Sequence, residues 1–383
     1  MSGPWGEPRA LYVHVPFCRH RCGYCDFTLV AGRDDLIERY LTALEMELAG
    51  AAPEGAELET LFLGGGTPSH LSPLQLRRLF EILLRRVRLA EGAEFSIEAN
   101  PLDLSDERID EFVRAGVNRV SVGVQSFQAE ELSVLERDHS PSEAIGLVSR
   151  LREAIPNVGV DLIFGVPGQS LEDWRRSLKT LLEISPPHVS TYGLTFEKGT
   201  AFWTRRAKGQ LRQQPEELER SMYALAIETL TTAGYQHYEL SNFARPGFES
   251  RHNLVYWDAR SYYAAGPGAA SYLDGERRTN HRSTTHWMER TIRGEAAVGY
   301  SERLTRDEVA REALMLGLRR LHGIDRTEFE RRFSVGLESL AGDAIDRMAR
   351  NGWLMWQGDM LKLTPEGVFV ADTVVGELLV ADA

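Results

Sequence analysis

Cys18, Cys22 and Cys25 are the only cysteines in this chain of 383 residues. They stand in one short run, Cys18-Arg-His-Arg-Cys22-Gly-Tyr-Cys25. An odd number of thiols packed this closely is a poor disulfide framework and reads as a metal site in a reducing compartment. Thiolates suit iron–sulfur clusters and zinc. A [4Fe–4S] cube offered only three thiolates keeps one iron without a cysteine, open to an exchangeable small molecule. Zinc is the competing reading, with His14 or His20 as a fourth ligand, and inert thiols are the other. Structural zinc thiolates usually come in two separated groups, whereas these share one loop, which favours the cluster.

Other segments carry residues with chemical potential. Leu63-Gly-Gly-Gly-Thr-Pro68 has successive glycines, which let backbone approach a ligand and leave N–H groups free. Gly65, Gly66 and Thr67 are then candidates to contact a ligand, with an ordinary strand-to-helix turn as the other reading. Glu98 ends an apolar run and can accept hydrogen bonds, and Gln125 follows another such run. His252-Asn253-Leu-Val-Tyr256-Trp257 puts an imidazole beside aromatic rings. Neutral imidazole is a common haem ligand and aromatic rings suit a flat macrocycle, although a lone histidine is often a hydrogen-bonded core residue.

The elements that must position these residues follow from periodicity. Leu11–Val15, Thr60–Leu63, Glu94–Ala99, Arg119–Val124, Gly159–Phe164 and His188–Leu194 read as strands, and Asp35–Ala49 and Pro73–Arg86 as helices. Ser170 with Asp173 reads as a helix start. Six strand–helix units in series imply a parallel sheet, with the site at the C-terminal strand ends. The expected fold is α/β: a partial (β/α)6 TIM-like barrel over residues 1–200. A smaller α+β region over 201–300 and a C-terminal winged-helix-like domain over 301–383 follow. Glu216–Ala233 reads as a long helix and Gln236–Ser241 as a strand.

The formal charge of −12 argues against nucleic acid as a partner, even with a winged-helix-like end. No run reaches the roughly 20 apolar residues of a membrane span. Met1 to Ala10 lacks an apolar signal core, so a cytoplasmic location is expected.

Cys-x3-Cys-x2-Cys after the first strand, with Tyr24 before the last cysteine, resembles the signature of the radical S-adenosylmethionine (SAM) family. Leu63–Pro68, Ser96-Ile-Glu-Ala-Asn-Pro101, Gly123-Val-Gln-Ser-Phe127 and Asp161-Leu-Ile-Phe-Gly-Val-Pro167 extend the likeness. They resemble the branch that holds oxygen-independent coproporphyrinogen III dehydrogenase and its haem-chaperone relatives. The resemblance implies a [4Fe–4S] cluster on Cys18, Cys22 and Cys25 with SAM on the open iron. It implies that Tyr12 helps hold the adenosine and Glu98 the ribose. It places Tyr24, Gly65, Gly66, Thr67, Gln125, Arg137 and Asp161 around SAM.

Two features separate the branch members. The dehydrogenase has a further cysteine two residues past the triad, where this chain has Phe27, which disfavours oxidative decarboxylation here. His252, Asn253, Tyr256 and Trp257 resemble the H-N-x-x-Y-W motif linked to haem in the chaperones. The implied function is transfer of haem to a respiratory, membrane-associated acceptor protein, with the dehydrogenase as the alternative. A flavodoxin or ferredoxin would donate electrons if radical chemistry occurs. Glu136 and Ala270 depart from a glycine and a histidine of the family pattern, which puts a close backbone approach and a possible ligand in doubt.

Overall fold

The computed structural model describes residues 3–379. Its centre is a nine-stranded sheet. β1 (Ala10–Val15), β2 (Ala56–Gly65), β3 (Val87–Ala99), β4 (Arg119–Gln125), β5 (Asn157–Phe164) and β6 (His188–Gly193) lie side by side in chain order. All six run parallel, as helical crossovers require. This is the partial barrel that the strand–helix alternation predicts.

The crossover helices start on local signals. Pro73–Arg86, Pro141–Ala154 and Leu171–Ile184 each begin at a serine whose hydroxyl and a side chain three residues on form a reciprocal cap. Strand residues alternate between two faces. Leu11, Val13, Leu61, Leu63, Phe95, Ile97, Val120, Val122, Val158 and Val160 pack under the helices in the main core. The other face carries Tyr12, His14, Phe62, Glu98, Ser121 and Asp161. That face bounds the interior of the partial barrel.

The 201–300 segment does not stand apart from the barrel, as the sequence boundaries imply. Three of its strands extend the same sheet. β7 (Gln236–Glu239) and β8 (Asn242–Ala244) add antiparallel strands beyond β6, and β9 (Tyr263–Ala265) adds a parallel strand outside β1. These strands are three or four residues long, too short for periodicity to reveal their partners. A separate sheet follows, built from Ala270–Leu273, Glu276–Asn280 and Val298–Arg303.

The C-terminal part runs helix, strand, helix, helix, strand, strand, from Arg306–Gly317 to Met360–Leu363. Its three strands pair antiparallel, with Met360–Leu363 in the middle. This is the winged-helix arrangement expected from sequence. Its core gathers Phe329, Leu337, Leu340, Ile345, Leu361 and Val374, largely distinct from that of the barrel. No helix among the described residues is long and apolar enough to cross a membrane.

Candidate functional site

The cysteine loop leaves β1 at the C-terminal end of the parallel strands. A two-strand pairing of Phe17–Cys18 with Val30–Ala31 closes it. Phe17 is fully buried and anchors the loop, packing edge-on against Tyr40 at 5.3 Å. The three thiols are free and line one cavity of about 360 Å³. Cys18 Sγ lies 3.1 Å from Thr67 Oγ1, and Arg137 Nη1 points at Cys22 Sγ at 3.7 Å. Burial pushes the Cys18 thiol up to about 12, partly opposed by the Thr67 hydroxyl. Cys25 is raised too, again chiefly by burial. Thiols that resist ionisation become thiolates on binding a metal, which displaces their protons.

The glycine run works differently from expectation. All three N–H groups already have partners: Gly65 N–H donates to Glu98 Oε2 at 2.9 Å, Gly66 N–H to the Val15 carbonyl and Thr67 N–H to the Phe17 carbonyl, each at 2.8 Å. None is free to meet a ligand. What the glycines supply is space. Gly65 has φ +109°, and a Cβ there would stand 2.3 Å from the His14 ring. A Cβ on Gly66 would meet Pro16 backbone at 2.7 Å. The run therefore lets β1, β2 and the cysteine loop close on one another.

Glu98, Gln125, Arg137 and Asp161 line the same cavity as the thiols, joined by Tyr24, Gly65, Gly66 and Thr67. Glu98 is raised to about 7, mainly by burial and also by the Asp161 charge, with the Gly65 N–H opposing. Ser121 donates to Asp161, 3.1 Å from either carboxylate oxygen. Gln125 is held at φ +69°, where a register shift ends β4. A left-handed non-glycine residue at a cavity wall is the kind of strain that clusters at functional sites. Arg137 fixes the strand end by donating to the Gly123 carbonyl at 2.9 Å.

Tyr12 faces an adjoining cavity of about 350 Å³, which shares Gly65, Glu98, Asp26 and Phe27 with the first. Its hydroxyl lies 3.0 Å from His14 Nδ1, and His14 Nε2 lies 2.6 Å from the Thr28 carbonyl. Both nitrogens of His14 are thus engaged, which leaves it poorly placed as a zinc ligand. Arg282 also reaches this loop, with Nη2 donating to the Asp26 carbonyl at 2.7 Å and Nε to Thr28 Oγ1 at 3.1 Å. No sequence pattern marks Arg282 or Ser121, because each acts through tertiary contact.

Three thiols, a glycine-made close approach, two half-buried carboxylates and a guanidinium therefore share one cavity. The donor set fits a cluster with an open iron beside an amino-acid-bearing nucleoside. Residues 12–181 match the model of the Radical SAM superfamily, and residues 304–370 that of the HemN C-terminal domain. A Lactococcus lactis protein named Heme chaperone HemW is 36% identical, covering 98% of each chain. A Bacillus subtilis protein of the same name is 34% identical over 97% of this chain and 99% of its own. The chain belongs to the HemW family of radical SAM proteins. Family membership implies a [4Fe–4S] cluster and SAM. A Danio rerio relative, the mitochondrial radical S-adenosyl methionine domain-containing protein 1, is 33% identical over 97% of this chain and 86% of its own. The Escherichia coli coproporphyrinogen III oxidase structure (HemN) matches with a TM-score of 0.85 at 23% identity, covering 97% of this chain and 90% of that one. That likeness establishes the fold of the family member described here.

The H-N-x-x-Y-W segment is placed elsewhere. Arg251–Trp257 is a short helix capped by Ser250, and Glu94 accepts from the N–H groups of Arg251 and His252. It closes the lower part of the inner face. His252 is 1% exposed. Its Nδ1 lies 2.8 Å from Thr60 Oγ1 and its Nε2 2.8 Å from Tyr256 Oη, while its ring stacks on Phe62 at 5.1 Å. Burial lowers the imidazole to about 3. Trp257 is covered by the Arg319 guanidinium at 4.9 Å, and Asn253 donates its N–H to Ser250. In this conformation His252 is a satisfied core histidine, and none of the four motif residues lines either cavity. Replacing it with alanine leaves Thr60 and Tyr256 without their partner and opens a hole against Phe62. A loss of about 2–4 kcal/mol is expected, read from denaturant unfolding. Unchanged stability would show that the helix is not seated as described.

Both departures from the family pattern have structural settings. Glu136 stands at φ +56°, a conformation natural to the family's glycine. Its carboxylate pairs with Arg205 at 2.6 Å and its carbonyl lies 2.6 Å from His20 Nε2. The backbone path is thus kept despite the side chain. Ala270 opens a strand and pairs with Thr279; Thr279 lines the second cavity and Ala270 lines neither.

Proposed function

We propose that the chain holds a [4Fe–4S] cluster on Cys18, Cys22 and Cys25, binds SAM in the adjoining cavity, and serves as a haem chaperone that delivers haem to a haem-requiring respiratory protein. The end-to-end similarity to relatives named as haem chaperones carries this reading. Phe27, in the position where the dehydrogenase has a cysteine, supports it against decarboxylation. When bound, the cluster and SAM supply reductive cleavage of a sulfonium, given an electron donor of the flavodoxin or ferredoxin class.

The chain's residues would position these groups. Glu98 would accept ribose hydroxyls, Tyr12 would border the adenosine, and Asp161 and Gln125 would face the charged end. Arg137 would hold positive charge beside the thiolates. Haem ligation through His252, as the motif implies, requires the Arg251–Trp257 helix to leave its seat.

The test is spectroscopic. Cluster-reconstituted protein is titrated with haem and then mixed with an apo-haem protein. Stoichiometric binding followed by transfer is expected. Absence of stoichiometric binding sinks the chaperone reading. Anaerobic conversion of coproporphyrinogen III, above a Cys22→Ala control, would favour the dehydrogenase instead.

A further inference from the structure

An iron–sulfur cluster exchanges single electrons, so a donor has to be brought within short reach of it. We propose that the basic segment Lys198–Arg212, seated on the cysteine loop, is the docking surface for a small acidic one-electron carrier protein. This rests on the cluster reading and assigns the face through which the cluster is reduced. One electron leaves the carrier and one enters the cluster; no bond is made or broken.

The segment is joined to the cysteine loop by packing. Its short helix, Ala201–Ala207, starts at a Thr200 cap. Phe202 is fully buried, and its N–H donates to the carbonyl of Gly23, between Cys22 and Cys25, at 2.8 Å. Its ring meets that of Tyr24 edge-on at 6.1 Å. A Cβ on Gly23 would stand 2.5 Å from the Phe202 ring, so glycine lets the helix seat this closely. Leu194, Phe196 and Phe202 form a small core with Leu135 and Ile163, apart from the main barrel core, and Tyr24 packs against it. The helix is thus the layer that covers the cysteine loop on this side.

Charge selects the class of partner. Lys198, Arg205, Arg206, Lys208 and Arg212 fall within fifteen residues that hold no carboxylate. In a chain of net charge −12 this is a local reversal of sign. Glu136 takes Arg205 at 2.6 Å. Among the described residues no carboxylate pairs with Lys198, Arg206, Lys208 or Arg212, and all four are exposed. A charge run is often only a solvated face. Here it lies over a redox centre, where an unanswered positive field steers an acidic carrier and turns cationic partners away. Trp203 is 41% exposed and stands one turn before Arg206 on the same helix. Tryptophan beside arginine is the pairing that anchors interfaces. Electron-transfer encounters bury little area, so a patch of this size is enough. Glu197, before the segment, and Glu216 and Glu217, beyond it, are exposed and mark its limits.

The test uses flavodoxin, an acidic carrier of this class. Cluster-reconstituted protein is titrated with it by calorimetry, and cluster reduction by photoreduced flavodoxin is followed by stopped flow. The wild-type rate is expected to fall roughly tenfold between about 20 and about 200 mM salt. The double variant Arg206→Glu, Lys208→Glu is expected to weaken binding and slow reduction by roughly tenfold or more, with a flattened salt dependence. Neither side chain is ion-paired, so the variant should keep its iron. Photoreduced deazaflavin, a small reductant that needs no docking face, should reduce both proteins alike. A double variant that flavodoxin binds and reduces like the wild type overturns the surface and leaves the cluster reading standing. So does a wild type that binds no flavodoxin. A variant that loses only its binding to phosphatidylglycerol vesicles gives the patch to a membrane and overturns the proposal. A wild type that takes up no iron overturns the cluster reading and the surface with it.

Discussion

Replacing Cys22 with alanine is expected to abolish the cluster. Iron and sulfide after anaerobic reconstitution should fall roughly tenfold or more, and the broad charge-transfer absorption should vanish with them. The reason is the ligand count. The chain has three thiols, all on one cavity, and none in reserve. Losing one leaves two irons of a cube without a cysteine. Cys18→Ala and Cys25→Ala should do the same. The main barrel core contains none of the three, so far-ultraviolet circular dichroism should stay near wild type. His20→Ala separates the cluster from zinc. His20 stands beside the triad, its Nε2 3.6 Å from Cys22 Sγ and 2.6 Å from the Glu136 carbonyl, so a zinc site would have to draw it off that carbonyl. Zinc binding would make His20→Ala as damaging as the cysteine variants. A cluster leaves the histidine variant with most of its iron. Wild-type iron content and spectrum in Cys22→Ala would refute the ligand assignment.

How much of this was legible in sequence depended on the range of the signal. The six parallel strands showed because each has a run of apolar residues. Glu98 and Gln125 showed as polar residues at the ends of those runs, whereas Asp161, inside its strand, and Arg137 showed only through the family resemblance. Strand pairing sets Glu98 opposite Ser121, whose hydroxyl donates to Asp161, and a register shift turns Gln125 towards the same cavity. What was illegible depended on contacts distant in the chain. β9 is three residues of Tyr-Ala-Ala, and nothing local says that it pairs with β1. The glycines at 64–66 reveal a close approach, yet not that the N–H groups of Gly65, Gly66 and Thr67 are already taken by Glu98, Val15 and Phe17. The His252 motif shows a histidine among aromatics, which suits both a haem ligand and a core residue. Only the positions of Thr60 and Phe62, some 190 residues earlier, reveal the buried state.

Glu98→Gln is expected to weaken SAM by about tenfold to a hundredfold and to remove a pH dependence centred near neutrality. The carboxyl is half-buried at the cavity wall and raised from 4.5 to about 7, chiefly by desolvation. Asp161 adds to the rise, the Gly65 N–H opposes it, and Tyr12 and Tyr192 face the same carboxyl. In the unfolded chain the group ionises near 4.5. Between that value and about 7 the folded state therefore binds more protons than the unfolded one. Stability from this group is full below about 4.5, falls as pH rises, and stops falling above about 7. The span is about 3 kcal/mol in ligand-free protein. Ribose hydroxyls donating to the carboxylate favour its charged form, so binding releases a proton and affinity climbs with pH towards about 7. Glu47 is also raised to about 7 by burial, while bonded to Gly266, Asn280 and Trp287. It lines neither cavity, so Glu47→Gln should alter the pH dependence of stability and leave that of SAM affinity in place. Titration calorimetry in buffers of different ionisation enthalpy, at about pH 6 and about pH 8, reads the released proton directly. A wild-type affinity that is flat across this range, or a Glu98→Gln variant that still releases the proton, would remove Glu98 from the nucleoside site.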